Sequence, residues 1–288
     1  MTDLKGDMAT LAGNMAALQE MERLRVLLEQ AGVEIILLKG AAFLDTLYPD
    51  LSERRMCDID FLIRQQDKVT TWKLIEADGY QRSIKPGRQK SNTMRTQATY
   101  TRDQGRFQLD IHWELGHHGR HKIDYSQLFN RAQVRESPNR KVVTLSTEDA
   151  ILFSAIHAAK DLFREDPRRS VDLNLIIQHW KPCWRTVIDR AWRWNSHFEL
   201  LALLKLENRH NELVPAHVME NLPASPMRTV FLDKTLELRD WTPKYPIENG
   251  LKQILFAAAT LPPSAAFTAL QRGATHLVSD FWSRTVSR

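Results

Sequence analysis

Apolar residues recur at steps of three and four through Leu4, Met8, Leu11, Met15, Leu18, Met21, Leu24 and Leu28. That spacing puts them on one stripe of a long helix, with Gly32 as its C-cap. The run Val33-Glu34-Ile35-Ile36-Leu37-Leu38 predicts a short buried strand, and Lys39-Gly40-Ala41-Ala42 turns into a helix through about Tyr48. A loop follows over 49–55, then a strand over 57–63 and a helix over 67–78 closed by Gly79. Residues 93–102 and 106–115 predict a hairpin about Asp103-Gln104-Gly105. A strand over 142–145 leads to Ser146-Thr147-Glu148-Asp149, a helix start with a hydroxyl cap and acid in the first turn. From 147 onward the pattern is helical. The expected fold class is therefore α/β (α+β), a mixed sheet with helices, followed by a mostly α-helical C-terminal region. The expected domains are 1–145, including the N-terminal helix, and 146–288.

The chemistry sits where the strand period turns ionisable. In Cys57-Asp58-Ile59-Asp60-Phe61-Leu62-Ile63, alternation places Ile59, Phe61 and Ile63 on one face and Asp58 and Asp60 on the other. Cys57 is expected to point to the core side. The 106–115 strand repeats the pattern, with Phe107, Leu109, Ile111, Trp113 and Leu115 opposite Gln108, Asp110, His112 and Glu114. If the two strands are neighbours, Asp110 meets Asp58 and Asp60. Carboxylates so close repel unless a cation or proton lies among them, and hard oxygen donors suit Mg²⁺ or Mn²⁺. Such a set from two strands is the donor arrangement of two-metal phosphoryl or nucleotidyl transfer. Upstream, Gly40 allows close backbone approach, and the following helix offers its N-terminal N–H groups to phosphate.

Composition narrows the classes. The chain has 288 residues, 43% hydrophobic and 26% charged, which is globular and excludes wholesale disorder. Forty basic against thirty-five acidic side chains give +5, which favours anionic partners without requiring nucleic acid. Cys57 and Cys183 lie too far apart in sequence for a ligand motif, so neither a disulfide framework nor a structural zinc site is expected. The first fifteen residues lack a basic start followed by an apolar run, so no signal peptide is expected. The best apolar stretch, 254–261, is too short to span a bilayer. The expected setting is cytoplasmic, with no membrane partner.

In order and spacing, several blocks together resemble the uncharacterised nucleotidyltransferase family of the DNA polymerase β-type superfamily. They are Leu37-Leu38-Lys39-Gly40-Ala41-Ala42, Leu47-Tyr48-Pro49-Asp50, Arg55-Met56-Cys57-Asp58-Ile59-Asp60 and Leu109-Asp110-Ile111-His112-Trp113-Glu114. Ser146 to Asp149, His157-Ala158-Ala159-Lys160 and Asp172 look like the family's helical segment, so the resemblance covers about residues 20–180. It implies that Asp58, Asp60 and Asp110 are the catalytic carboxylates and ligands of Mg²⁺ (or Mn²⁺). It implies nucleotide contacts at Lys39, Gly40, Ala41 and Arg55. It also implies NMP transfer from an NTP, ATP foremost, to an acceptor that is RNA, a small molecule or a protein. The superfamily usually carries Gly-Gly or Gly-Ser where this chain has Gly40-Ala41. A seryl contact to phosphate is thus missing, leaving backbone N–H and the point charge of Lys39.

Other features each have a functional and a plain reading. His112 shares a strand face with Asp110 and either holds it or contacts substrate. His157 and Lys160, three apart on one helical face, and Asp172 are candidates for substrate or supporting contacts. Arg54 and Arg55 stand just before the carboxylate strand as phosphate contacts. Between 81 and 106, Arg82, Lys85, Arg88, Lys90, Arg95, Arg102 and Arg106 face one acid, Asp103, a local +6. That stretch is either an electrostatic funnel or a solvated hairpin. His117, His118 and His121 read as a loop rather than a metal site. The tryptophans at 180, 184, 192 and 194 are expected to pack the helical domain. Two further readings stand beside the enzyme: a non-catalytic nucleotide- or RNA-binding module on the same fold, and a partner-binding protein acting through the first helix.

Overall fold

The computed structural model describes residues 4–83, 96–137, 140–161, 163–164, 166–208, 214–222 and 226–237. Lys85, Arg88, Lys90 and Arg95 of the basic stretch and the apolar run 254–261 lie outside them. The described residues fall into two units, one drawn from residues 4–151 and 171–182, the other from residues 152–170 and 183–237.

The first unit is built on a seven-stranded mixed sheet of order β3-β4-β5-β2-β1-β7-β6. Its strands are β1 (Ile35–Leu37), β2 (Ile59–Ile63), β3 (Gln81–Arg82), β4 (Gln97–Arg102), β5 (Phe107–His112), β6 (Gln133–Ser137) and β7 (Arg140–Thr144). Strands β2 and β5 pair in parallel, with Asp60 opposite Asp110 and Phe61 opposite Ile111. Strands β1 and β2 are antiparallel, as are β4 and β5, while β1 and β7 run parallel. Every residue of β2 is buried, the signature of a central strand covered on both faces. The N-terminal helix α1 (Leu4–Gln30) and α2 (Lys39–Leu47) pack on the sheet, and α3 (Lys68–Ala77) meets α1. The core includes Leu24, Leu28, Ile36, Leu44, Phe61, Ile75, Tyr100, Leu109 and Ile111.

The expected strands and helices around the carboxylates are present, somewhat shorter than their sequence patterns. The two-residue strand β3, strand β6 and helix α4 carry no such pattern. Strand β6 is an edge strand whose Val134 is exposed, so it lacks a clear buried alternation. Helix α4 (Tyr125–Asn130) spans six residues and is fixed locally, its Asp124 side chain capping the Gln127 N–H at 3.1 Å.

Helix α1 corrects the apolar stripe. Leu18, Met21, Leu24 and Leu28 are buried, but Met8 and Met15 are 65% and 48% exposed. Asn14 is buried instead. Its Nδ2 donates to the carbonyls of Leu51 and Arg54, and its Oδ1 accepts from Met56 N–H at 2.9 Å. The helix thereby ties down the loop that carries the chain into β2.

The second unit is helical in its described residues. It holds α7 (Trp184–Trp194), α8 (His197–Asn208), α9 (Ala216–Glu220), α10 (Pro226–Glu237) and part of each of α5 (Thr147–Lys160) and α6 (Pro167–Leu175). Ser146 precedes α5, its Oγ accepting from Asp149 N–H. Trp194 packs inside this unit, whereas Trp192 is 44% exposed and stacks on His197. Trp180 belongs to the first unit, under the Arg135 guanidinium at 3.4 Å and edge-on to Phe43. Burial there pushes the Arg135 pKa down to about 10.

Candidate active site

Asp58 and Asp60 reach the site from β2 and the residue before it, and Asp110 from β5 alongside. Parallel pairing sets Asp60 directly opposite Asp110. Residues in register on neighbouring strands put their side chains on the same face of the sheet. One oxygen from each of Asp58, Asp60 and Asp110 lies within 4.8 Å of the others. Asp60 is 1% exposed, while Asp58 and Asp110 are half-buried. Thr99, opposite Asp110 on β4, donates its hydroxyl to Asp110 Oδ1 at 2.7 Å.

Two nitrogens converge on one oxygen of the buried member. Lys39 Nζ lies 2.8 Å from Asp60 Oδ1, and His112 Nε2 lies 3.0 Å from the same atom. Burial by itself would raise the Asp60 pKa. Lys39 and then His112 outweigh it and hold the carboxyl well below the usual carboxylate range. Burial likewise opposes the Lys39 ammonium, but Asp60, with Asp58 and Asp110 adding to it, holds the Lys39 pKa above its ordinary value. Asp60 and Lys39 therefore face each other as an ion pair. The site demands positive charge, and three convergent carboxylate oxygens fit a hard divalent cation.

The turn from β1 into α2 closes the other side. Leu38 N–H donates to the Asp60 carbonyl at 3.0 Å, which fixes the start of α2 beside the carboxylates. Lys39 adopts φ +47°, in the left-handed region. Gly40 is tightly covered: a Cβ there would overlap Arg54 Nη1 and stand 3.2 Å from its Cζ. That guanidinium is gripped by Asp172, Nε to Oδ1 at 2.7 Å and Nη2 to Oδ2 at 2.8 Å. Tyr48 donates its hydroxyl to the same Asp172 Oδ1 at 2.7 Å. Burial and then Asp172 raise the Tyr48 pKa.

The model of the uncharacterised nucleotidyltransferases matches residues 5–210. The chain belongs to that family. It is a nucleotidyltransferase, and the family implies a nucleotide as substrate. Two solved structures resemble it at low identity. One is the solution structure of the antibiotic-resistance factor ANT(2'')-Ia, with 12% identity and a TM-score of 0.44, covering 69% of this chain and 100% of the other. The second is an antigenic nucleotidyltransferase-like protein from Paracoccidioides brasiliensis, with 16% identity and a TM-score of 0.39, covering 73% of this chain and 92% of the other. No curated protein matches the chain.

The remaining sequence candidates of this nucleotidyltransferase sort by place. Ala41 is buried in α2. Arg55 is exposed, and it is its neighbour Arg54 that lies against Gly40. Asp172 belongs to the first unit and acts on Arg54, whereas His157 and Lys160 belong to the second. There His157 Nδ1 lies 3.4 Å from Asp161. Cys57 is exposed, correcting its expected core position: β2 begins two residues later, so alternation does not reach it. Arg102 is held by Glu20 and Asp78, each at 2.9 Å, in a structural network. His118 pairs with Glu114 at 2.9 Å in a turn. Among the described residues, no helix is long and apolar enough to cross a membrane.

Sequence reasoning missed the roles of Asn14, Tyr48 and Thr99. Thr99 alone left a local signal, a hydroxyl at a hairpin position facing an acid. The other two act across 40 and 124 residues.

Proposed function

We propose that this enzyme transfers a nucleoside monophosphate from an NTP, ATP foremost, to an acceptor hydroxyl, and that the first unit is its catalytic domain. The observation that carries this reading is the convergence of Asp58, Asp60 and Asp110 within 4.8 Å beside the start of α2. In this reading those three residues hold Mg²⁺ or Mn²⁺. Bound there, divalent ions would lower the pKa of the acceptor hydroxyl and draw charge from the leaving pyrophosphate.

The chain's own residues do the positioning. Lys39 and His112 keep Asp60 ionised and oriented, and Thr99 orients Asp110. Arg54, locked by Asp172, presents a planar cation at Gly40, where the triphosphate meets the first N–H groups of α2. Ala41 supplies backbone N–H alone. The acceptor class, whether RNA, small molecule or protein, follows from the experiment.

The test is label transfer. Purified protein is incubated with each α-labelled NTP, Mg²⁺ or Mn²⁺, and cell extract divided into RNA, protein and small-molecule fractions. Metal-dependent labelling that is lost in Asp58→Asn and Asp60→Asn supports the reading and identifies the acceptor class. NTP binding without labelling of any fraction would replace it with a non-catalytic nucleotide-binding module.

A further inference from the structure

We propose that Lys39 is a built-in counter-cation of the carboxylate site, which a divalent metal must displace before it can bind. The inference rests on the metal-site reading above and adds a step to it. As a phosphate ligand alone, Lys39 would be expected to point along α2 toward incoming nucleotide. Its ammonium instead lies 2.8 Å from Asp60 Oδ1, on the most buried of the three carboxylates. Lys39 accepts a left-handed backbone at φ +47° to stand at the turn, a conformation that glycine would adopt without strain. The side chain is therefore what the position uses.

The electrostatics follow from these positions. Three acids share oxygens within 4.8 Å, and an ammonium at hydrogen-bond distance relieves part of their repulsion when no metal is bound. The same ammonium repels a divalent ion approaching that oxygen set, and at buried positions the repulsion is weakly screened. Metal entry thus requires Lys39 to leave Asp60. Because Lys39 is the first residue of α2, the released ammonium remains beside the N–H groups proposed to take phosphate. One side chain would balance carboxylates in the empty site and phosphate in the loaded one, linking metal arrival to nucleotide capture.

The experiment measures Mn²⁺ binding without nucleotide, by electron paramagnetic resonance, in the full-length wild type, Lys39→Met and Lys39→Arg. An Asp58→Asn/Asp110→Asn variant sets the background. Lys39→Met should bind Mn²⁺ about tenfold or more tightly than wild type, with Lys39→Arg staying near wild type. In EDTA, Lys39→Met should melt below wild type, and Mn²⁺ should close the gap. On the wild type itself, reaction of Lys39 with an amine-acylating reagent, followed by mass spectrometry, should increase on adding Mn²⁺. That measurement carries the test should the Met variant not fold. Equal or weaker Mn²⁺ binding in Lys39→Met, or Lys39 reactivity unchanged or lowered by Mn²⁺, overturns the displacement and leaves the metal site standing. Mn²⁺ binding no stronger than background in all three proteins would instead remove the metal-site reading itself.

Discussion

Arg54 lies so close over Gly40 that a single methyl group at position 40 would overlap its Nη1. The absence of a side chain at Gly40 therefore serves an arginine of the protein itself as well as any phosphate. Gly40→Ala should push the guanidinium aside while leaving α2 intact, since alanine is the better helix former. We expect nucleotide affinity to fall about tenfold or more, the worth of a charge-assisted contact, and the melting temperature to fall as the Asp172 grip on Arg54 is disturbed. Arg54→Lys should reproduce the loss, because an ammonium cannot keep both the bidentate grip of Asp172 and the forward contact. Titration with a fluorescent NTP analogue checks both.

Asp172 and Tyr48 separate a positioning role from a stability role. Asp172→Ala leaves the buried Arg54 guanidinium without its bidentate partner, a loss of about 3–5 kcal/mol by urea denaturation. Tyr48→Phe removes one hydrogen bond from a carboxylate that keeps Arg54, and should lose only about 1 kcal/mol. A Tyr48→Phe loss as large as that of Asp172→Ala would contradict this division.

Asn14 is the peg of the loop that precedes β2. Asn14→Ala removes both carbonyl contacts and the acceptor for Met56 N–H, leaving buried backbone groups unpaired. Stability should drop by about 1–3 kcal/mol. Turnover should fall as well, because this loop sets Arg54 and leads into Asp58. Conversely, Met15→Ala one residue away should be nearly silent, since Met15 is exposed.

Acid stability should depend on the Glu20–Arg23–Asp78–Arg102 network. The Arg23 guanidinium hydrogen-bonded to Asp78 holds that carboxyl below its ordinary value, with Arg102 adding to it. Burial would raise Glu20, but hydrogen bonds from Arg23 and Tyr80 outweigh it and lower its pKa. Folded pKa values below the unfolded values of about 4 mean that this stability is fully present above pH 4. It is lost as the pH falls through the folded values. Melting temperatures measured from pH 5 toward 2 should therefore decline for wild type and decline less steeply for Asp78→Asn.

Much of the site was legible because its signals are local. Alternation along 57–63 and 107–114 marks two half-ionisable strands from side-chain period alone. Gly40 and the hydroxyl start of α5 are likewise short-range signals. Alternation left the meeting of Asp60 and Asp110 conditional on the two strands being neighbours, and only the family resemblance implied it; the parallel pairing of strands fifty residues apart sets the register. Nor could alternation choose between Arg54 and Arg55 in a loop, where side chains follow no period. The structure turns Arg54 onto Gly40 and leaves Arg55 exposed. Trp180, grouped by composition with the other tryptophans, joins the first unit because Arg135 and Phe43 enclose it there.

By itself the sequence determined which residues could bear charge on a buried strand and where helices begin. Those properties follow from side-chain chemistry and backbone period within about a dozen residues. The tertiary structure decided the strand pairing that brings the third acid to the pair, and it alone decided that Lys39 and His112 share one oxygen of Asp60. It also decided that Asn14, Tyr48 and Asp172 hold the arginine beside Gly40. Such contacts join segments whose separation along the chain leaves no local trace, and they form only when burial of the sheet brings the strands into one register.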